Sequence, residues 1–268
     1  MNEYWIKLGE SLRDAADGGR RIALFFRDDD AAEDIPPLRR LLSLFETREM
    51  GINIEVIPGL MTTECARLLG SAQSGQPKLI EVNQHGWRHE NHETTGRKCE
   101  FGPARDYQQQ CEDIRAGRAR LEEMLGSAFY PVFTPPWNRY GAATCQALID
   151  LGFHAISDIE SSRTVNVNTA LRRIPATLDI IDWRSSRDLK PVDLLLTELI
   201  RQIQKVGQVV QPEHAKTAKE SATIGILLHH RVMSEAAFSF IDRLLAELKG
   251  FECVVPHTFR SLLEGKHA

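Results

Sequence analysis

Three carboxylates in a row, Asp28, Asp29 and Asp30, follow the apolar run RIALFFR of residues 21–27. Adjacent like charges repel, so the run needs a counter-ion or one shifted pKa. A bound cation meets that need and also differentiates the carboxylates, one ligating while its neighbour stays free as a base. A solvated acidic turn satisfies the residues equally well. The stretch QHGWRHENH at 84–92 places His85 and His89 four apart, on one face of a helical turn. Two neutral imidazoles and one carboxylate make a three-ligand set that leaves a zinc position open to water. An isolated H-x-x-x-H is as often ordinary surface or core chemistry. Its place after a strand, in a chain that also carries DDD after a strand, favours the ligand reading.

Three further segments have chemical potential. FTPPWNRYG at 133–141 is a stiff proline loop able to hold a backbone N–H toward a developing oxyanion, or simply to end a strand. In DIIDWR at 179–184, a carboxylate stands beside the indole of Trp183, and an indole face suits a sugar ring; a core tryptophan at a strand end is the plain alternative. GILLHH at 225–230 runs an apolar strand into His229 and His230, where a poised acid or a satisfied core histidine fits.

The elements that must position these residues alternate. Short apolar strands are expected at 21–27, 52–58, 78–84, 129–134, 153–157, 172–180, 223–229 and 252–256. Helical periodicity falls at 37–50, 106–125, 142–151, 191–206 and 234–250, with Gly51, Gly152, Gly207 and Gly250 as stops for all but the second. This rhythm predicts a parallel α/β architecture, a single-domain irregular (β/α) barrel of seven or eight strands over residues 1–268. In such a barrel the chemistry belongs where strands end and loops begin. The polar stretch 208–221 reads as a surface loop.

Composition excludes other classes. With 268 residues the length allows about 1.8 average domains, so one large domain is admissible. Net charge is −4, leaving no basic excess for a nucleic-acid backbone. Cys65, Cys99, Cys111, Cys145 and Cys253 are odd in number and contain no C-x-x-C, which predicts neither a disulfide framework nor a zinc ribbon. No run of 18 apolar residues predicts a membrane span. The opening MNEYWIKLGESLRD carries Glu3, Lys7 and Glu10 in place of a signal-peptide core, so a cytoplasmic location is expected. Oligomeric state is not legible.

The five chemical segments, in this order, resemble the polysaccharide deacetylases of carbohydrate esterase family 4 over roughly residues 21–256. The resemblance implies a metal-dependent hydrolase that removes an N-acetyl or other acyl group from a sugar or oligosaccharide. It implies Asp29 as general base, His229 as general acid, and Asp30, His85 and His89 as ligands of a divalent metal, zinc by ligand type. A one-residue shift to Asp28 and Asp29 stays open. Trp137 would lend its amide to the oxyanion, and Asp182 and Trp183 fall in the family's acid–tryptophan motif, which spans Asp179 to Trp183. The family's arginine that positions the base is replaced here by Thr134, and Arg27, two residues before Asp29, is the expected substitute. Most relatives are exported, whereas a cytoplasmic chain reaches a soluble oligosaccharide or an activated or lipid-linked sugar more easily. Rival readings are a cyclic amide or imide hydrolase on the same fold, and a carbohydrate-binding pseudoenzyme.

Overall fold

The computed structural model describes residues 2–161, 170–206 and 223–265; the expected loop at 208–221 lies outside them. β1 (Ile22–Ala31), β2 (Ile52–Val56), β3 (Ile80–His85), β4 (Phe129–Thr134) and β5 (Ala155–Ile156) are followed by β6 (Arg172–Arg173), β7 (Leu178–Asp179), β8 (Ile224–Leu228) and β9 (Val254–His257). All pair in parallel in the order β6-β5-β4-β3-β2-β1-β8-β7, with β9 also against β1. The expected α/β barrel architecture is present.

Residues 172–180 are not one strand. The segment splits around Pro175, which has no N–H to donate, and it changes partners as it goes. Ile174 and Ala176 donate to the carbonyls of Ile156 and Asp158, while Thr177 and Ile180 donate to Gly225 and Leu227. One short segment therefore touches both ends of the curled sheet and draws it toward closure.

Strands covered on both faces need apolar residues on both. Along β1, Leu24 and Phe26 enter the layer beneath the helices, whereas Phe25 points inward among Tyr130, Val132, Ala155, Ile174 and Phe259. The helices are α1 (Asn2–Asp17), α2 (Pro36–Arg48), α3 (Thr63–Gly75), α4 (Tyr107–Leu125), α5 (Ala142–Asp150), α6 (Val192–Val206), α7 (Glu235–Lys249) and α8 (Phe259–Glu264). α1 and α3 were not expected from the sequence. α1 buries Trp5, Leu8, Leu12 and Ala15 at helical spacing and packs on α6. α3 is capped by Thr62, whose hydroxyl accepts the Cys65 N–H at 3.1 Å. No helix among the described residues is long and apolar enough to cross a membrane. All five cysteines are free and buried.

Candidate functional site

The inner face of β1 turns from apolar to ionic as it rises: Phe25 gives way to Arg27 and then Asp29. The three aspartates lie within this strand, not beyond it, because β1 continues to Ala31. Asp28 stands opposite Ile54 but Ala31 opposite Val56, so three steps on β1 match two on β2. That extra residue is a β-bulge, and Asp30 takes it up with a left-handed φ of 74°. The bulge breaks the strict alternation, so Asp29 and Asp30 can both reach the barrel mouth. Asp28 goes elsewhere: its carboxylate receives the His230 backbone N–H at 2.8 Å and meets His230 Nδ1 at 2.6 Å, both side chains fully buried.

Arg27 is fully buried and grips Asp29 with both arms, Nε to Oδ1 at 2.9 Å and Nη2 to Oδ2 at 3.0 Å. Its remaining N–H groups reach Ser157 Oγ, the Asp158 carbonyl and Asn138 Oδ1. A bidentate guanidinium fixes the orientation of its carboxylate. Thr134, on the neighbouring strand system, is buried and supplies no charge.

His85 ends β3, with Nδ1 3.1 Å from the Thr134 carbonyl, leaving Nε2 free to face Asp30. His89 is not one helical turn away. Residues 86–90 form a loop, Gly86 at φ 56° and His89 at φ 58°, and this bend swings the second imidazole back. A Cβ at Gly86 would lie 2.2 Å from Glu100 Oε2 and 2.5 Å from Pro136 Cγ, so the turn requires glycine. Glu100, buried and unflagged by the sequence, receives the N–H groups of Trp87, Arg88 and Glu90 and so ties down the loop.

Asp30 Oδ1 lies 3.2 Å from His85 Nε2 and 3.4 Å from His89 Nε2, and the ligand atoms all fall within 4.8 Å of one another. Ligand bonds of about 2.0–2.1 Å in a tetrahedral site put neighbouring ligands about 3.3 Å apart. Asp30 Oδ1 is buried and accepts no hydrogen bond, so its lone pairs are unused by the protein. Donor chemistry and spacing both fit a divalent cation.

The three side chains shift one another's protonation. Burial opposes the Asp30 carboxylate, yet His85, His229 and His89 outweigh it and hold its pKa well below the carboxylate range. Burial likewise opposes a charged His85, but Asp30 and Asp29 overcome it and raise the pKa to about 9. His89 is pushed down to about 4 by burial and then by His85. Behind them sits Glu55, fully buried on β2 and raised to about 8 by burial first and Asp29 second. A lone glutamate inside the apolar run INIEVIP was the sequence signal for it.

Around this centre lies a cleft of about 1040 Å³. Asp29, Asp30, His85, His89, Trp137, Trp183 and His229 all line it, drawn from five chain segments. His229 Nε2 is 3.8 Å from Asp29 Oδ2, and Trp183 stands edge-on to the His229 ring at 4.7 Å. Trp137 lies against His89 at 4.3 Å. It holds a left-handed φ of 54° in a turn closed by the Asn138 and Arg139 N–H groups, bonds that do not use its own amide.

Asp182 does not join them. Its Oδ1 caps the turn after β7 by accepting the N–H groups of Arg184 and Ser185. Asp179, three residues earlier, lines the cleft and accepts Trp183 Nε1 at 2.8 Å. Sequence spacing could not choose between the two acids, because the turn's direction decides which one faces inward.

No protein-family profile matches the chain, and no curated protein does. Solved structures do. A proposed polysaccharide deacetylase from Mycobacterium smegmatis superposes with a TM-score of 0.68 at 14% identity, covering 92% of this chain and 90% of that one. A family 4 acetyl xylan esterase from Clostridium thermocellum, solved with a cobalt ion, gives 0.52 at 17% identity, covering 91% of each. A CE4-family pseudoenzyme from Bacillus anthracis gives 0.54 at 17%, covering 92% of this chain and 67% of that one. The chain thus has the fold of the polysaccharide deacetylases and family 4 carbohydrate esterases.

Proposed function

We propose that the protein is a divalent-metal-dependent hydrolase that removes an N-acetyl or related acyl group from a sugar. The observation that carries this reading is the juxtaposition of the Asp30–His85–His89 triad with Asp29, the latter clamped by buried Arg27. A cation held by the triad, zinc by its ligand types, supplies Lewis-acid polarisation of the acyl carbonyl and a lowered water pKa.

The chain's own residues carry the rest. Asp29 takes the proton of the water that attacks the acyl carbon, and Arg27 holds that carboxylate in place. The Trp137 N–H donates to the oxyanion of the tetrahedral intermediate, a contribution of about 3–4 kcal/mol for a well-placed donor. His229 gives a proton to the nitrogen as the C–N bond breaks, releasing a carboxylate such as acetate and a free amino sugar. Trp183, oriented through Asp179, offers its indole beside His229 as a face for the sugar ring.

The bidentate Arg27–Asp29 pair favours this over a carbohydrate-binding pseudoenzyme, since a binding protein has no need to orient a base. The test is acetate release from N-acetylated sugars by the zinc-loaded protein, alongside ring opening of small imides. Acetate release that disappears on chelation and returns with zinc sustains the reading. Imide opening alone assigns the cyclic amide activity, and stoichiometric zinc with no turnover on either set assigns a binding role.

A further inference from the structure

The mouth of the cleft carries charge that neither the triad nor Asp29 uses. Arg97 and Lys98 come from the loop before α4, Arg139 follows Trp137, and Arg184 and Arg187 follow β7; all five line the cleft. Only three acids line it with them: Asp29, held by Arg27; Asp30, in the triad; and Asp179, bonded to Trp183. Among the described residues, none of the five cations forms an ion pair with a carboxylate. Arg139 reaches only the Lys98 carbonyl, at 2.7 Å. Its pKa is held below the usual value by burial and then by Arg97, so the cations crowd one another. This happens in a chain whose net charge is −4.

We propose that the cleft accepts an N-acylated sugar bearing its own phosphate group, which the cations at the mouth bind. The inference rests on the deacylation reading and names its substrate class. Unneutralised like charges gathered in a cleft are unfavourable until a ligand brings the counter-charge, and low-dielectric walls focus the resulting field. Guanidinium forks match phosphate oxygens in bidentate fashion. Neutral glycans need aromatic faces and uncharged hydrogen-bonding groups, and Trp137 and Trp183 already supply the faces. The five cations exceed that need. They sit on three separate loops around the same opening, so a phosphate on one side of the sugar meets several at once.

The experiment is calorimetric binding to the zinc-loaded Asp29→Asn protein, which separates recognition from turnover. N-acetylglucosamine 1-phosphate is expected to bind at least about tenfold more tightly than N-acetylglucosamine, with the preference shrinking from about 50 to about 500 mM salt. The double substitution Arg184→Ala/Arg187→Ala is expected to reduce that preference about tenfold, and Arg97→Ala, on a different loop, to reduce it independently. Equal affinity for the two sugars overturns the proposal. So does a preference that survives both variants, because the metal alone would then be capturing the phosphate. Tighter binding of N-acetylmuramic acid than of the phosphate sugar also overturns it, reassigning the cations to a carboxylate. Acetate release by the wild-type protein is scored separately: its absence from every sugar defeats the deacylation reading and leaves the binding preference to stand or fall alone.

Discussion

On the outer face of the helices, Arg40 meets Glu235, Arg48 meets Asp242, Arg118 meets Glu122 and Arg243 meets Glu247. At the cleft mouth, Arg97, Arg184 and Arg187 meet no carboxylate among the described residues, and within it Arg27 meets Asp29 with both side chains buried. The same side chain thus does three jobs in one molecule. Outside, water screens each pair and the partners are readily dispensed with. Inside, breaking the pair leaves a desolvated charge with nothing to compensate it. At the rim, the cations have no carboxylate partner among the described residues. Burial and partner choice, not residue type, separate structural charge from chemical charge.

Four substitutions put this contrast at risk. Asp29→Asn is expected to lower acyl-sugar hydrolysis about 10³-fold, the scale of a lost general base, while zinc content by mass spectrometry stays stoichiometric. Loss of the metal together with activity would make Asp29 a ligand and undo its separation from Asp30. Arg27→Ala should destabilise the fold by about 3–5 kcal/mol in urea titrations, because Asp29 stays buried without its partner. A midpoint unchanged by that substitution would place the interior pair in the same class as the exterior ones.

Glu55 sharpens the comparison through pH. Its folded pKa of about 8 exceeds the ordinary glutamate value of 4.5, so between those limits the folded state binds more protons than the unfolded one. Stability from this group therefore falls as pH rises from about 4.5 to 8. Glu55→Gln removes that dependence, and its stability relative to the parent should climb by about 3 kcal/mol between pH 5.5 and 8. Parallel pH curves for the two metal-free proteins would mean that Glu55 is ionised throughout. The smallest effect is expected outside: Arg48→Ala should leave the urea midpoint within replicate scatter, and a clear loss would show that exterior pairs carry more stability than their exposure allows.

Much of the site was legible because its segments advertise themselves locally. DDD and HGWRH each adjoin an apolar run, and PPW, IIDW and LLHH stand in the order of the family's motifs. What failed was geometry at the scale of a single turn. Four-residue spacing suggested a helical face for His85 and His89, yet a glycine bend and a left-handed His89, tied by Glu100, bring them together. The acid–tryptophan motif spans both Asp179 and Asp182, and only the turn after β7 shows that Asp179 accepts from Trp183 while Asp182 caps the turn. α1 and α3 escaped notice although both bury an apolar stripe, because charges near the start of one and small residues in the other dilute the pattern.

Residue order by itself determined the alternation of strands and helices and the kinds of donor available, since hydrophobic periodicity and side-chain chemistry are properties of neighbours along the chain. Folding in three dimensions decided which aspartate meets histidine, which arginine holds the base, and that five cations from three loops share one opening. Those relations join residues far apart in sequence, and a one-residue bulge or a single positive φ is enough to redirect a side chain from one face of the sheet to the other.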